Sequence, residues 1–211
     1  GTPSAESERA AQEMNAYFLQ RINDIRRHPK EHLLGQLVAT ETEDGKLDDE
    51  ELLSFCRLLL IAGNETTTGL ITASARIFHE EPDTLVQLKQ NPQLAKNFVE
   101  EALRFYSPFS ATVRRTTKDV EIAGQAIAAG ELVIPLLASA NRDERVFEAP
   151  DTFRLDRSPN PHLGLGFGIH VCLGAHLARL EGKIVVEQMA QRYRSIEPVS
   201  YTHLTLPTRY R

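Results

Sequence analysis

Cys172 closes a run in which glycines fall at every second position, Gly164, Gly166 and Gly168, around Leu165, Phe167 and Ile169. His170 stands two residues before the thiol and Gly174 two after it. The residues that follow, from Ala175 onward, carry a helical pattern with Leu177, Leu180 and Ile184 on one side and Arg179, Glu181, Lys183 and Glu187 free to face water. The cysteine is therefore expected at the start of a packed helix. There, unpaired backbone N–H groups and the positive end of the helix dipole favour thiolate over thiol. A thiolate so placed is suited to be an anionic ligand for iron, and alternating glycines let the backbone approach a flat, bulky partner without Cβ clashes. Two plainer readings stand beside this one. An isolated cysteine is commonly a small buried hydrophobe, and a glycine-rich loop can cradle a dinucleotide pyrophosphate. The dinucleotide fingerprint requires a strand, Gly-x-Gly-x-x-Gly and a helix. Here Pro159-Asn160-Pro161 precedes the loop, and Val171 stands three residues after Gly168.

Other residues capable of chemistry lie in three segments. Glu65 and Thr66 form an acid-alcohol pair next to Ala62 and Gly63, inside a long apolar stretch that includes Leu52, Leu53, Phe55, Leu58, Leu59, Leu60 and Ile61. Asp48 with Glu51 reads as a helix start and Pro82 as its end, and the breadth of the apolar face predicts burial on several sides. Gly63, Glu65 and Thr66 weaken such a helix; the plain reading is a threonine bonded back to the preceding turn. Further on, Glu101 and Arg104 share a helix face begun by Asn91 and Pro92, with Leu94, Phe98 and Leu103 on the apolar side. By spacing alone that pair is a weak surface ion pair. Arg114, with Thr116, Asp119, Val120, Ile122, Gly124, Ile127 and Gly130, reads as short strands joined by glycine turns.

In their order along the chain, these segments resemble the cytochrome P450 monooxygenases. The resemblance rests on the loop through His170-Val171-Cys172-Leu173-Gly174, on Ala62-Gly63-Asn64-Glu65-Thr66-Thr67, on Glu101-Ala102-Leu103-Arg104, and on Phe153-Arg154-Leu155-Asp156-Arg157. It implies the C-terminal, haem-binding half of that fold, of the soluble bacterial type. Cys172 would be the proximal ligand of haem b (iron protoporphyrin IX), its thiolate favouring O–O cleavage, with Gly166 and Gly168 in the loop against the cofactor. Ala62 and Gly63 would leave room for dioxygen, Glu65 and Thr66 would guide protons and water to it, and Arg114 and His170 would anchor haem propionates. A planar guanidinium suits carboxylates because it can donate two bonds. Glu101, Arg104 and the distant Arg157 would form a buried three-charge cluster that holds the haem-binding core. Phe109, Ser110, Ala111 and Thr112, with Ala62, would face the substrate. Asn141, Arg142, Asp143, Phe147, Pro150, Asp151 and Phe153 match the family's connecting meander and read as architecture. One residue departs from the pattern: Leu165 stands where the family usually has phenylalanine, which implies a more exposed or differently tuned thiolate.

The implied reaction inserts one atom of O2 into a small organic substrate while the other leaves as water. Electrons would come from NAD(P)H through a separate ferredoxin or flavodoxin-type donor with its reductase, since no flavin or nicotinamide domain is recognisable. Arg142, Arg145, Arg179 and Lys183 are candidates for docking an acidic donor; a solvated charged face is the plainer reading. The alternatives are a peroxide-driven haem-thiolate enzyme and an inactive fragment that at most binds haem.

The elements that must position these residues follow from the rest of the chain. Helical signals cover residues 5–39, among them Tyr17, Leu19, Ile22 and Ile25; the long helix, shorter helices to Tyr106, a β region to Leu137, an irregular meander, the cysteine loop and a last helix come after. The expected fold is mainly α with a small β region, without an internal boundary. The 211 residues, 41% hydrophobic and 25% charged, suit one globular unit. Cys56 and Cys172 form no Cys-x-x-Cys pair, and Cys56 reads as packing. A net charge of -5 without a basic tract argues against nucleic acid, no apolar run reaches the length of a membrane span, and free thiols suit the cytoplasm. Residues 1–198 are expected to be the C-terminal part of the domain. Residues 199–211 are expected to be a non-native tail, because 199–208 can be back-translated into a transposon adapter used in sequencing libraries.

Overall fold

The computed structural model describes residues 4–42 and 45–198; the expected tail, 199–211, lies outside them. The architecture is mainly helical with few strands. It falls into two compact units, residues 1–64 and 65–211. The sequence has no linker signal there because the division lies inside one continuous helix.

In the first unit, helix α1 (Ala5–Arg27) is capped by Ser4, whose Oγ accepts from Ser7 N–H at 3.2 Å, with Glu6 and Glu8 at its positive end and Arg26 and Arg27 at its negative end. Helix α2 (Leu33–Ala39) is capped by His32 Nδ1, and β1 (Glu41–Thr42) pairs antiparallel with β2 (Gly45–Lys46). Helix α3 (Asp49–Glu80) opens with the expected reciprocal cap: Glu51 N–H donates to Asp48 Oδ1 at 2.8 Å and Asp48 N–H to Glu51 Oε2 at 3.0 Å. Ile22, Leu52 and Leu53 form the core of this unit, with Phe18, Leu19, Leu34 and Leu37 against it. Burial of this stretch of α3 on several sides is not what forms. Leu52, Leu53 and Cys56 are buried, while Leu58, Leu60 and Ile61 are more than half exposed. A stretch apolar all round buries only the face that finds a partner.

The second unit starts with the remainder of α3 and continues through α4 (Pro82–Gln90), a 3-10 turn (Pro92–Leu94), α5 (Ala95–Phe105) and, after a long excursion, α7 (Ala175–Arg192). Asn91 caps the 3-10 turn rather than α5 itself, its side chain accepting from Gln93 N–H at 3.2 Å. Phe78 stacks on Phe98 at 4.9 Å between centroids, and Phe98 meets Phe153 edge-on at 5.3 Å, so α3, α5 and the meander share one apolar core with Leu70, Ile77, Leu103 and Val186. Between α5 and α7 come β3 (Arg114–Arg115) paired with β6 (Leu132–Val133), β4 (Val120–Ile122) paired with β5 (Gln125–Ile127), and α6 (Leu137–Ala140), all strand pairs antiparallel. The β4–β5 hairpin turns on Ala123 and Gly124, both at positive φ (51° and 81°), the tight two-residue turn whose twist matches its strands.

Helix α7 packs by a different face from the one its leucines suggest. Ala175, Gly182, Val186 and Ala190 are buried, whereas Leu173 before the helix and Leu177, Leu180 and Ile184 on it are exposed. Both stripes have helical spacing. The small residues are inside because the helices approach too closely for larger ones: a Cβ on Gly182 would lie 2.9 Å from Leu70 Cδ2 and 3.2 Å from Val99 Cγ2.

Candidate functional site

The site is built up from α5. Glu101 and Arg104, three residues apart on its buried face, are fully enclosed, and the meander brings Arg157 onto the same carboxylate. Arg104 Nε and Nη2 donate to Glu101 at 2.9 and 2.8 Å, and its remaining donors go to the carbonyls of Asn141, Pro150 and Thr152. Every N–H of that guanidinium is used. Arg157 Nε donates to both Glu101 oxygens at 2.9 and 3.0 Å, and its other nitrogens to Glu148, Ala149 and Thr152 carbonyls. Glu101 also accepts from Arg154 N–H and Asn160 Nδ2. The spacing alone suggests a surface pair. Here the two cations and one anion are buried together with their donors satisfied, the condition under which such burial is tolerated.

That cluster reaches the cysteine loop through Asn141, a residue that reads from sequence as architecture alone. It is fully buried; its carbonyl takes Arg104, its Nδ2 donates to Ser107 Oγ at 2.7 Å, and its Oδ1 accepts Leu163 N–H at 2.7 Å. Next to Glu101, Glu100 points elsewhere and collects His162 Nε2 at 3.0 Å and Arg179 Nε at 2.7 Å. Burial raises the pKa of its carboxyl, but the bonds from His162 and Arg179 outweigh that and hold it down to about 2. Sequence reasoning passes over Glu100 and His162. The signal is the adjacency of two carboxylates, which a helix points about 100° apart and so sends to different clusters.

Within the loop, Cys172 N–H donates to the Leu165 carbonyl at 2.8 Å and its own carbonyl accepts from Ala175 N–H at 3.2 Å, so the thiol sits just before the first turn of α7. Cys172 is exposed, in contrast to Cys56, whose thiol is buried and pushed up by that burial. The glycines answer to the protein as well as to any partner. A Cβ on Gly164 would lie 2.5 Å from the Leu103 carbonyl of α5, and one on Gly166 (φ 75°) 2.7 Å from the His170 carbonyl; Gly168 has open space but needs its φ of 63°.

A cavity of about 220 Å³ opens on this loop. Cys172, His170, Gly166 and Thr66 line it together, and its other walls are mostly apolar, from Leu70, Leu103, Phe109, Leu137, Leu165 and Ala178. Thr112 also faces it; Ser110 and Ala111 do not. Glu65 is exposed and outside the lining, since the residue before Thr66 points away around the helix. Gly168 is exposed at the loop tip, outside the lining. Ala62 and Gly63 lie in the first unit, on the preceding turn of α3. Arg114 is exposed on β3 with its guanidinium on the Val113 carbonyl at 2.9 Å. The half-buried Thr67 hydroxyl donates to Glu181 at 3.3 Å, giving α7 a polar contact beside Thr66. The four cations considered for docking are each engaged within the chain: Arg142 with Asp151 and Lys183 with Glu187 at 2.7 Å, Arg145 with Asp143 at 2.6 Å, and Arg179 with Glu100.

The family model for Cytochrome P450 matches residues 74–205. This chain belongs to the cytochrome P450 family. The putative cytochrome P450 YjiB of Bacillus subtilis is 42% identical over 197 residues, 93% of this chain and 50% of that protein. The biotin biosynthesis cytochrome P450 of the same organism is 45% identical over 181 residues, covering 86% of this chain and 46% of its own length. The crystal structure of CYP109E1 from Bacillus megaterium with testosterone superposes with a TM-score of 0.85 at 41% identity, covering 89% of this chain and 52% of that one. The chain thus spans about half the length of the cytochromes P450 it matches. Membership implies haem, and the site fits it: a single exposed thiol on the wall of a largely apolar cavity is the donor set for a flat apolar macrocycle held by one sulfur. Among the described residues no group of three or more His, Cys, Asp or Glu side chains is placed to hold a bare metal ion, and no helix is long and apolar enough to cross a membrane.

Proposed function

We propose that this cytochrome P450 binds haem through Cys172 and serves a monooxygenase acting on a small apolar organic substrate. The observation that carries the reading is the meeting of Cys172, His170 and Thr66 on one largely apolar cavity. Bound there, haem would supply the iron that activates O2, with NAD(P)H electrons delivered by a ferredoxin or flavodoxin-type donor in the cytoplasm. In this reading Cys172 Sγ holds the cofactor, and His170, at the rim, hydrogen-bonds one of its carboxylates. Thr66 Oγ1 holds a proton over the cavity while Glu65, exposed one residue away, exchanges protons with solvent. Arg114 is assigned the second carboxylate, Gly166 and Gly168 give the loop its curvature beside the cofactor, and Ala62 and Gly63 keep the preceding turn of α3 slim. The Glu101, Arg104 and Arg157 cluster keeps the loop root in place. Relatives crystallised with testosterone or with an acyl carrier protein carrying hexadec-9Z-enoic acid support an apolar substrate, as does the cavity wall from Phe109 to Leu137.

The test is the carbon monoxide difference spectrum of the reduced, haem-loaded chain. The red-shifted band of thiolate ligation is expected, and Cys172→Ser should remove it. A band typical of histidine ligation or free haem in the parent chain would dismiss Cys172 as the ligand.

A further inference from the structure

Both ends of the cysteine loop converge on one carboxylate. On the entering side, His162 Nε2 lies 3.0 Å from Glu100 Oε2, and on the leaving side Arg179 of α7 donates to the same carboxylate at 2.7 and 3.0 Å. The His162 ring is used at both nitrogens. Its Nδ1 accepts Gly164 N–H at 3.1 Å, so Nδ1 presents a lone pair and the ring proton sits on Nε2, facing Glu100. The His162 side chain is only 3% exposed, and a ring buried that deeply is oriented by its two bonds. Gly164 in turn lies so close to α5 that a Cβ there would meet the Leu103 carbonyl at 2.5 Å. Its neighbour Leu165 offers the carbonyl that takes Cys172 N–H at 2.8 Å.

A continuous path therefore runs from Glu100 through the imidazole, the Gly164 amide and the Leu165 carbonyl to the backbone of Cys172. Among the described residues, the buried Glu101 cluster reaches the loop beyond Arg157 at Asn160 and, through Asn141, at Leu163, and makes no bond nearer the thiol. It secures the root of the loop. We propose that Glu100 and His162 are positioning residues for Cys172, fixing the pitch of the loop on α5 by holding the Gly164 amide while Arg179 ties down the far side. The proposal rests on the reading of Cys172 as the haem ligand for its functional meaning, but the anchoring it describes belongs to the chain itself.

Amide exchange of the 15N-labelled full chain, read by NMR, separates the two. His162→Ala is expected to speed exchange at Gly164 and Cys172 at least tenfold while the amides of α5 keep their protection. His162→Asn, whose side-chain oxygen can take the place of Nδ1, should restore Gly164. Glu100→Gln should give an intermediate rate at both positions. In the haem-loaded chain, His162→Ala should convert a measurable fraction of the thiolate-type carbon monoxide band to the form that lacks it. Unchanged exchange at Gly164 and Cys172, or acceleration shared equally by α5, would overturn the proposal. If the parent lacks the thiolate band but the exchange pattern holds, the anchoring stands and the ligand assignment is what fails.

Discussion

At the root of the cysteine loop, residues 157–165, the polar groups are matched almost atom for atom. Arg157, Asn160, His162, Leu163 and Gly164 all bond to α5, to Asn141 or to one another, and Asn160 Oδ1 is the one buried side-chain polar atom without a partner among the described residues. At the tip the order is reversed. Phe167 is 83% exposed, Ile169 96% and Leu173 71%, and the bonds that shape the turn are backbone ones. The root is determined by polar complementarity to α5, where a missing partner leaves a buried charge or amide unsatisfied. The tip leaves apolar side chains in the open outside the cavity lining, so packing within the chain constrains them far less than it does the root.

Removing a charge from the α5 cluster that holds the root should have the largest effect. Arg104→Ala strands Glu101 with Arg157 and leaves several carbonyls unpaired, and is expected to cost about 3–5 kcal/mol in urea unfolding and to abolish haem uptake. A loss below about 1 kcal/mol would place the cluster with ordinary surface pairs and erase the contrast.

Acid should act next, on Glu100. Its carboxyl is held down to about 2 from an ordinary 4.5. A group depressed in the folded state contributes stability that is present above about 4.5 and is lost as pH falls toward 2. Unfolding curves across that window should show this decline in the parent and a shallower one in Glu100→Gln; identical slopes would remove Glu100 from the account of the root. The smallest effect is expected at the tip. Ile169→Ser should change stability by no more than about 0.5 kcal/mol while weakening haem retention in a gel-filtration assay. A larger loss of stability would mean the tip is packed like the root.

Much of this was legible in the sequence, for local reasons. The reciprocal cap of Asp48 and Glu51 depends on residues three apart, and α3 ends at Glu80 just before α4 begins at Pro82, because capping and proline geometry act within a turn. The cysteine loop stood out because left-handed glycines and a close approach to α5 exclude other residues at these positions. The inward face of α7 was not legible, because its leucine stripe and its stripe of small residues share one period and only the distance to Leu70 and Val99 selects between them. Nor was the separation of Glu65 from the cavity that Thr66 lines: adjacency in sequence is not adjacency around a helix.

By itself, the sequence determined the mainly helical course of the chain and the glycine-rich loop that carries Cys172, which follow from residue type and short spacing, and its motifs carried the resemblance to the family. Only the tertiary structure decided which charges are buried together, that Asn141 and Glu100 tie the loop to α5, and that the four cations considered for docking are already paired. Each of those depends on contacts between residues tens of positions apart, Glu100 with His162 and Arg179, Arg104 with Asn141, Glu101 with Arg157. A local pattern can specify a turn or a cap, but the satisfaction of a buried charge is a property of the packed chain.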